Sequence, residues 1–221
     1  RSPKLVVSPA NDVEATGGTS VFSVETNFSW QASITTEGTT VTTEQWALFR
    51  NGELNTSGTA SNDGENVYID ISPNPSLSER RLTIKIETRA DMGENLVKTL
   101  TVRQEAAALP VCHTPNVTDI AVTEAQLVFV AESSPFPVTE CGILYSTDAD
   151  EALTVEGKCN RVVATLSGNE ATARLTGLDK GTTYYAKAYA RSDVGTEYSN
   201  LFTFTTRQSP GRDGNPTPET P

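Results

Sequence analysis

A single histidine, a single methionine and three cysteines in 221 residues leave the chain poor in soft metal ligands and in general bases. No Gly-x-Gly-x-x-Gly, phosphate loop or nucleophile elbow is present, so dinucleotide, nucleotide and serine-hydrolase chemistries have no motif to stand on. No uninterrupted apolar run approaches the ~18 residues of a membrane span, and direct membrane insertion is not expected. Positive charge is also short: 17 Lys and Arg against 28 Asp and Glu give a formal net charge of −11. Such a surface repels phosphate backbones and anionic lipid, which removes nucleic acid from the expected partners. The carboxylates are scattered on turn-like segments, with no pair recognisable across a cleft as glycoside hydrolysis requires. The chain is read as non-enzymatic, with no cofactor and no metal.

Hydrophobic residues make up 36% of the chain, enough for ordinary cores, and the length suits one or two domains. Period-two alternation recurs along it. Val67, Ile69 and Ile71 share a face against Tyr68 and Asp70, and Leu82, Ile84 and Ile86 alternate with Thr83, Lys85 and Glu87. Trp30 to Ile34 and Leu100 to Val102 repeat the pattern, and Leu5 to Val7 and Val21 to Val24 are shorter runs. A second series follows at Leu127 to Ala131, Ile143 to Tyr145, Arg161 to Leu166, Ala171 to Leu175, Tyr184 to Arg191 and Leu201 to Thr205. Turn residues separate these strands at the short spacing of β-sandwiches. Helical periodicity is confined to Thr43 to Phe49, a short candidate, and one possible turn at Asp150 to Val155.

Glu105-Ala106-Ala107-Ala108-Leu109-Pro110 breaks the two series, since proline cannot donate to a sheet ladder. The expected organisation is all-β, two sandwiches in tandem over residues 1–106 and 107–207, then a tail over 208–221. The tail is rich in proline and glycine and is read as a solvated linker. Arg1-Ser2-Pro3-Lys4 leads into no apolar targeting segment, so a removed leader is expected upstream.

Leu175-Thr176-Gly177-Leu178-Asp179-Lys180-Gly181-Thr182-Thr183-Tyr184 resembles the turn into the sixth strand of a fibronectin type III domain. In that immunoglobulin-like family the tyrosine tucks its hydroxyl back onto nearby backbone. Tyr184 to Arg191, Gly195 to Tyr198, Phe202 to Thr206 and Glu140 to Ser146 resemble the version common in Bacteroidetes surface proteins. The first series is similar to a BACON domain, a Bacteroidetes-associated module. The residues that carry this are Leu5-Val6-Val7-Ser8, Gly17-Gly18, Asn27-Phe28-Ser29-Trp30, Trp46, Asn74-Pro75-Ser76, Arg80 and Val102-Arg103-Gln104. The resemblance implies tandem immunoglobulin-like sandwiches in an exported protein, either lipid-anchored on the outer-membrane surface through a removed N-terminus or secreted. The name of the first module implies carbohydrate binding without a motif that transfers residue by residue.

Trp30 alternates with Ala32 and Ile34 and is expected inside, whereas Trp46 is either core or a platform for a sugar ring. In the second series Tyr184, Ala186, Ala188 and Ala190 should point inward, leaving Tyr185, Lys187, Tyr189 and Arg191 as an outward stripe. That stripe could hold a glycan or protein partner, or could be ordinary cross-strand packing on a solvated sheet. In an exported chain Cys141 and Cys159 are the candidate disulfide pair, closing a loop worth roughly 3 kcal/mol, and the odd thiol stays free or buried. Cys112-His113 lacks the second histidine of a zinc set. Asp148 to Glu151 and Asn62 to Glu65 match no EF-hand loop and read as solvated turns. The function expected is a monomeric, non-catalytic spacer, presentation or binding segment, possible partners being a glycan or a surface protein. The alternative is an adhesin or assembly subunit acting through the second domain.

Overall fold

A computed structural model describes residues 2–37, 46–89 and 94–209 of the chain. The possible helix at Thr43 to Phe49 lies outside these residues over 43–45, and most of the 208–221 tail does so over 210–221. Among the described residues there is no helix, and so none long and apolar enough to cross a membrane. The chain forms two compact units, Arg1–Ala108 and Leu109–Pro221.

The first unit contains β1 (Leu5–Val7), β2 (Gly18–Thr26), β3 (Ser29–Glu37), β4 (Ala47–Phe49), β5 (Asn55–Gly58), β6 (Ser61–Ile71), β7 (Arg80–Arg89) and β8 (Val97–Gln104). They form two four-stranded sheets, ordered β1-β2-β6-β4 and β5-β3-β7-β8, in which every pair of neighbours is antiparallel. The alternating rows meet between the sheets: Phe22 and Val24, Trp30 and Ala32, Val67 and Ile69, Leu82, Ile84 and Ile86 are all buried. Each fully buried aliphatic or Phe side chain contributes about 1.5–3 kcal/mol relative to exposure. Ala47 to Phe49, read as part of a possible helix, is strand β4: Ala47 and Phe49 alternate inward with Leu48 between them. Asn62 to Glu65 is no free turn but part of β6, where the register with β2 shifts between Val24 and Thr26.

A buried polar knot closes one end of this unit. Gln104 has no exposed surface; its amide donates to the carbonyls of Glu14 (3.1 Å) and Ser72 (3.0 Å) and its Oε1 accepts from Arg80 Nε (2.7 Å). The Arg80 guanidinium also donates to the carbonyls of Ser72 and Pro73 at 2.7 and 3.0 Å. Asn74, also buried, donates to the carbonyls of Ser78 and Glu105, each at 2.9 Å. Gly17 sits beside the knot at φ 85°, where an added Cβ would lie 2.6 Å from the Ile71 carbonyl oxygen. The residues that carried the first module's resemblance thus hold distant segments together.

The second unit contains β9 (Val111–Cys112), β10 (Asn116–Ile120), β11 (Glu124–Glu132), β12 (Glu140–Ser146), β13 (Asn160–Val163), β14 (Thr165–Ser167), β15 (Glu170–Thr176), β16 (Thr183–Arg191), β17 (Thr196–Tyr198) and β18 (Phe202–Thr205). One sheet runs β10-β11-β15-β14 with β9 on β11; the other runs β13-β12-β16-β17 with β18 also on β16. Arg161 to Leu166, read as one strand, is two: the chain leaves β12 after Val163 and joins β15 from Thr165. Alanines fill the inner row of β16, and Tyr184 stacks on Phe204 with ring centroids 5.4 Å apart. The Tyr184 hydroxyl accepts from the Asp179 backbone N–H at 2.8 Å, the tyrosine corner expected from the motif.

Candidate functional site

The outward stripe of β16 does not stand free. Residues 147–159 carry no helical turn; they fold over the outer face of β12 and β16 and bring Leu153 against Leu144 and Tyr189, with Val155, Cys159 and Tyr198 around them. Tyr189 is fully buried. Its hydroxyl donates to Glu140 Oε1 at 2.7 Å, and Arg161 lies 3.7 Å from the same oxygen with its guanidinium 6.0 Å from the ring centroid. Burial, then the Glu140 carboxylate, pushes the Tyr189 hydroxyl well above the usual tyrosine range. Gly142 makes room for this ring: an added Cβ would lie 2.8 Å from Tyr189 Cε1. The covering segment is pinned by Ser146 Oγ donating to Glu151 Oε2 at 2.5 Å and by the Val155 N–H donating to the Tyr198 hydroxyl at 3.2 Å.

Tyr189 therefore leaves the stripe. Strand parity placed it on the outer face correctly, but that face is covered by apolar side chains from a segment whose carboxylates made it look solvated. Tyr185 and Lys187 are half-buried and Arg191 is exposed. They sit across from different partners, Tyr185 from Ser146 and Thr203, Lys187 from Leu144 and Arg191 from Glu140 and Thr196.

Trp46 is no sugar platform either. It is 6% exposed and the Arg80 guanidinium stacks over its ring at 4.1 Å, so the ring is already occupied by its own chain. The expected Cys141–Cys159 disulfide is absent; all three cysteines are free. Cys141 points between the sheets with Ile143 and Ala190, whereas Cys159 belongs to the cluster on the outer side of β12. Cys159 lies in the covering segment before β13, so the sheet lies between the two thiols. Cys112 packs with Cys141 in the inner core, and burial pushes its thiol up to about 12.

The open face belongs to the first unit. The register sets Gln31 of β3 between Ser57 of β5 and Glu87 of β7, and Ser33 between Asn55 and Lys85. These side chains line a cavity of about 600 Å³. Gln31 holds the centre: its Nε2 donates to Glu87 Oε2 at 3.2 Å and its Oε1 accepts from Arg89 Nε at 3.0 Å. Lys85 pairs with Glu87. The bonds from Lys85 and then Gln31 hold the Glu87 carboxyl below the usual carboxylate range.

No protein-family model matches the chain, and no curated protein matches it. Among solved structures it is similar to the FN1-FN3 domains of chicken CNTN1, at 14% identity over 93% of this chain and 68% of that one, with a TM-score of 0.38. A two-domain fibronectin type III segment of chicken tenascin is 13% identical over 93% of this chain and 99% of that one, with a TM-score of 0.32. The titin domains z1z2 in complex with telethonin are 14% identical over 95% and 97%, with a TM-score of 0.40. The strand pairing in each unit, and in the second also the tyrosine corner, decide the fold. Both units are immunoglobulin-like sandwiches.

Sequence reasoning passed over the polar face of the first sandwich, although Gln31, Ser33, Lys85 and Glu87 were each legible as outward positions. What was missing was the register that brings β3 beside β7, and β5, whose Asn55-Thr56-Ser57-Gly58 carries no apolar alternation. A signal was present in the run of hydrogen-bonding side chains on the outward parity of two neighbouring strands.

Proposed function

We propose that the chain is a non-catalytic segment of an exported bacterial surface protein, in which two sandwiches space and present neighbouring parts or offer a sheet face to a partner. The observation that carries this reading is that each unit is a closed antiparallel sandwich with its own apolar core. Such cores resist deformation and hold loops at fixed positions, which suits presentation. The thiols of half-buried Cys112 and buried Cys141 are both pushed up by burial, away from nucleophile chemistry. Among the described residues no group of three or more His, Cys, Asp or Glu is placed to hold a metal ion.

The export and surface location is carried by the resemblance of both series to modules of Bacteroidetes surface proteins. Contact through the second sandwich, as an adhesin or assembly subunit, has Tyr185, Lys187 and Arg191 to use but not Tyr189. Incubation of the full chain with chromogenic glycoside, ester and peptide panels tests the non-catalytic reading; no turnover is expected, and turnover removed by a single substitution would overturn it. Protease treatment of intact cells that make the protein tests the location. Loop-derived peptides should be released, and full protection without lysis would contradict surface display.

A further inference from the structure

Val97-Lys98-Thr99-Leu100-Thr101 opens β8, an edge strand of its sheet. Further along, the Arg103 N–H donates to Asp12 Oδ1 at 2.8 Å and the Arg103 carbonyl accepts from the Val13 N–H at 3.0 Å, so Arg103 turns its backbone groups away from β7. Backbone groups alternate in direction along an antiparallel strand, and those of Thr101, Thr99 and Val97 therefore point the same way. Among the described residues nothing pairs with them. The chain covers this edge with its own Asp12 and Val13 as far as Arg103 and leaves the next three N–H and three C=O groups open, a template on which another strand adds.

We infer that the open edge of β8 binds an extended, acidic protein segment, which adds as an antiparallel strand with a carboxylate opposite Lys98. The inference rests on the reading of the chain as a non-catalytic presentation or binding segment and names the chemistry of a partner for it. Main-chain bonds to Val97, Thr99 and Thr101 hold such a segment, and the side chains between them select it.

Lys98 sets the sign. It shares the inner parity of β8 with Leu100 and Val102 and stands across from buried Ile86, yet it is exposed, a cation at the rim of an apolar row. Among the described residues no carboxylate pairs with it, on a chain where acidic residues outnumber basic ones by 28 to 17. Leu100 beside it is half-buried against the core. An added antiparallel strand brings directly opposed Cβ atoms to about 4.5–5.5 Å, so a Glu or Asp opposite Lys98 completes an ion pair. An apolar residue two positions before that acid covers Leu100. The segment therefore reads apolar-x-acid from N- to C-terminus, in an extended run free of proline.

A second copy fits less well. In the antiparallel register that uses all three open residues, two β8 strands set their Lys98 side chains diagonally on one face, about 7–8 Å apart and alike in charge. An inward-facing lysine is a device by which edge strands refuse copies of themselves, and here it leaves the edge selective for acid.

The test is an amide-shift titration of the full, isotopically labelled chain with the blocked peptide Thr-Val-Thr-Glu-Thr, beside the same peptide with Lys in place of Glu. The Glu peptide should move the amides of Val97, Thr99 and Thr101 with a dissociation constant near the millimolar range, and the Lys peptide should bind about fivefold more weakly. Lys98→Glu should reverse that order while the tryptophan unfolding transition stays in place, since Lys98 is exposed. No shifts at tens of millimolar Glu peptide, equal shifts from both peptides, or an order unchanged in Lys98→Glu would each overturn the site. Concentration-dependent shifts of the same amides without peptide, with a dimer in sedimentation, would give the edge to a second copy and overturn the acidic partner. The non-catalytic reading stands or falls separately, on turnover of the chromogenic panels.

Discussion

Replacing Tyr189 separates a sealed sheet face from an exposed one. Its ring is fully buried and its hydroxyl donates to Glu140 at 2.7 Å. Removing an aromatic ring from such a site costs about 3–5 kcal/mol, and removing only the hydroxyl bond to a carboxylate about 1.5–3 kcal/mol. For a unit of about 100 residues each kcal/mol lowers the midpoint by about 4–8 °C. Tyr189→Phe should therefore lower the second unit's midpoint by about 6–24 °C, and Tyr189→Ala by about 12–40 °C. Gly142→Ala should act in the same direction, because the added Cβ would meet the Val162 carbonyl oxygen at 2.3 Å and Tyr189 Cε1 at 2.8 Å. The assay has an internal control. Both tryptophans, Trp30 and Trp46, lie in the first unit, so their fluorescence follows that unit while far-ultraviolet circular dichroism follows both. The dichroism transition should move and the tryptophan transition should stay. A Tyr189→Ala cost within about 0.5 kcal/mol, as for an exposed side chain, would refute the covered face.

Arg80→Ala should destabilise the first unit by about 2–3 kcal/mol, read from tryptophan fluorescence, because it removes the donor to the buried Gln104 Oε1 and to the Pro73 carbonyl and one of the two donors to the Ser72 carbonyl; an unchanged transition would contradict this. Tyr189 keeps its proton in the folded chain at pH values where an unfolded tyrosine loses it, so folded-state stability should fall as pH rises past the ordinary value of 10.0. Tyr189→Phe should flatten that alkaline loss, which pH-dependent denaturant titrations would show. Peptide mapping after air oxidation should find no Cys141–Cys159 crosslink, and Cys112 should alkylate slowly at pH 8, its thiol being pushed up to about 12. Rapid alkylation of Cys112 in the folded chain would contradict its partial shielding and raised thiol.

The parts of this fold legible in the sequence are those that depend on short-range pattern. Leu82, Ile84 and Ile86 point inward because parity requires it, and the turn before Tyr184 announces its own hydrogen bond. What escaped depends on contacts between residues far apart in the chain. Tyr189 has the right parity for an exposed residue and is buried because Leu153 and Val155 arrive over it from a segment rich in carboxylates. β5 escaped because a strand at a sheet edge made of Asn, Thr, Ser and Gly needs no alternation. The knot of Asn74, Arg80 and Gln104 was visible only as a resemblance, since all but the Arg80–Gln104 bond described in it run to backbone carbonyls that no side-chain pattern encodes.

The contrast between an open polar face on the first sandwich and a sealed face on the second is tested most directly by solvent paramagnetic relaxation on the full chain with a soluble gadolinium chelate. The Ser33, Asn55, Ser57 and Lys85 side-chain signals should broaden strongly while the Tyr189 ring signals stay sharp. Comparable broadening of Tyr189, or protection of the β5-β3-β7 face, would contradict the account.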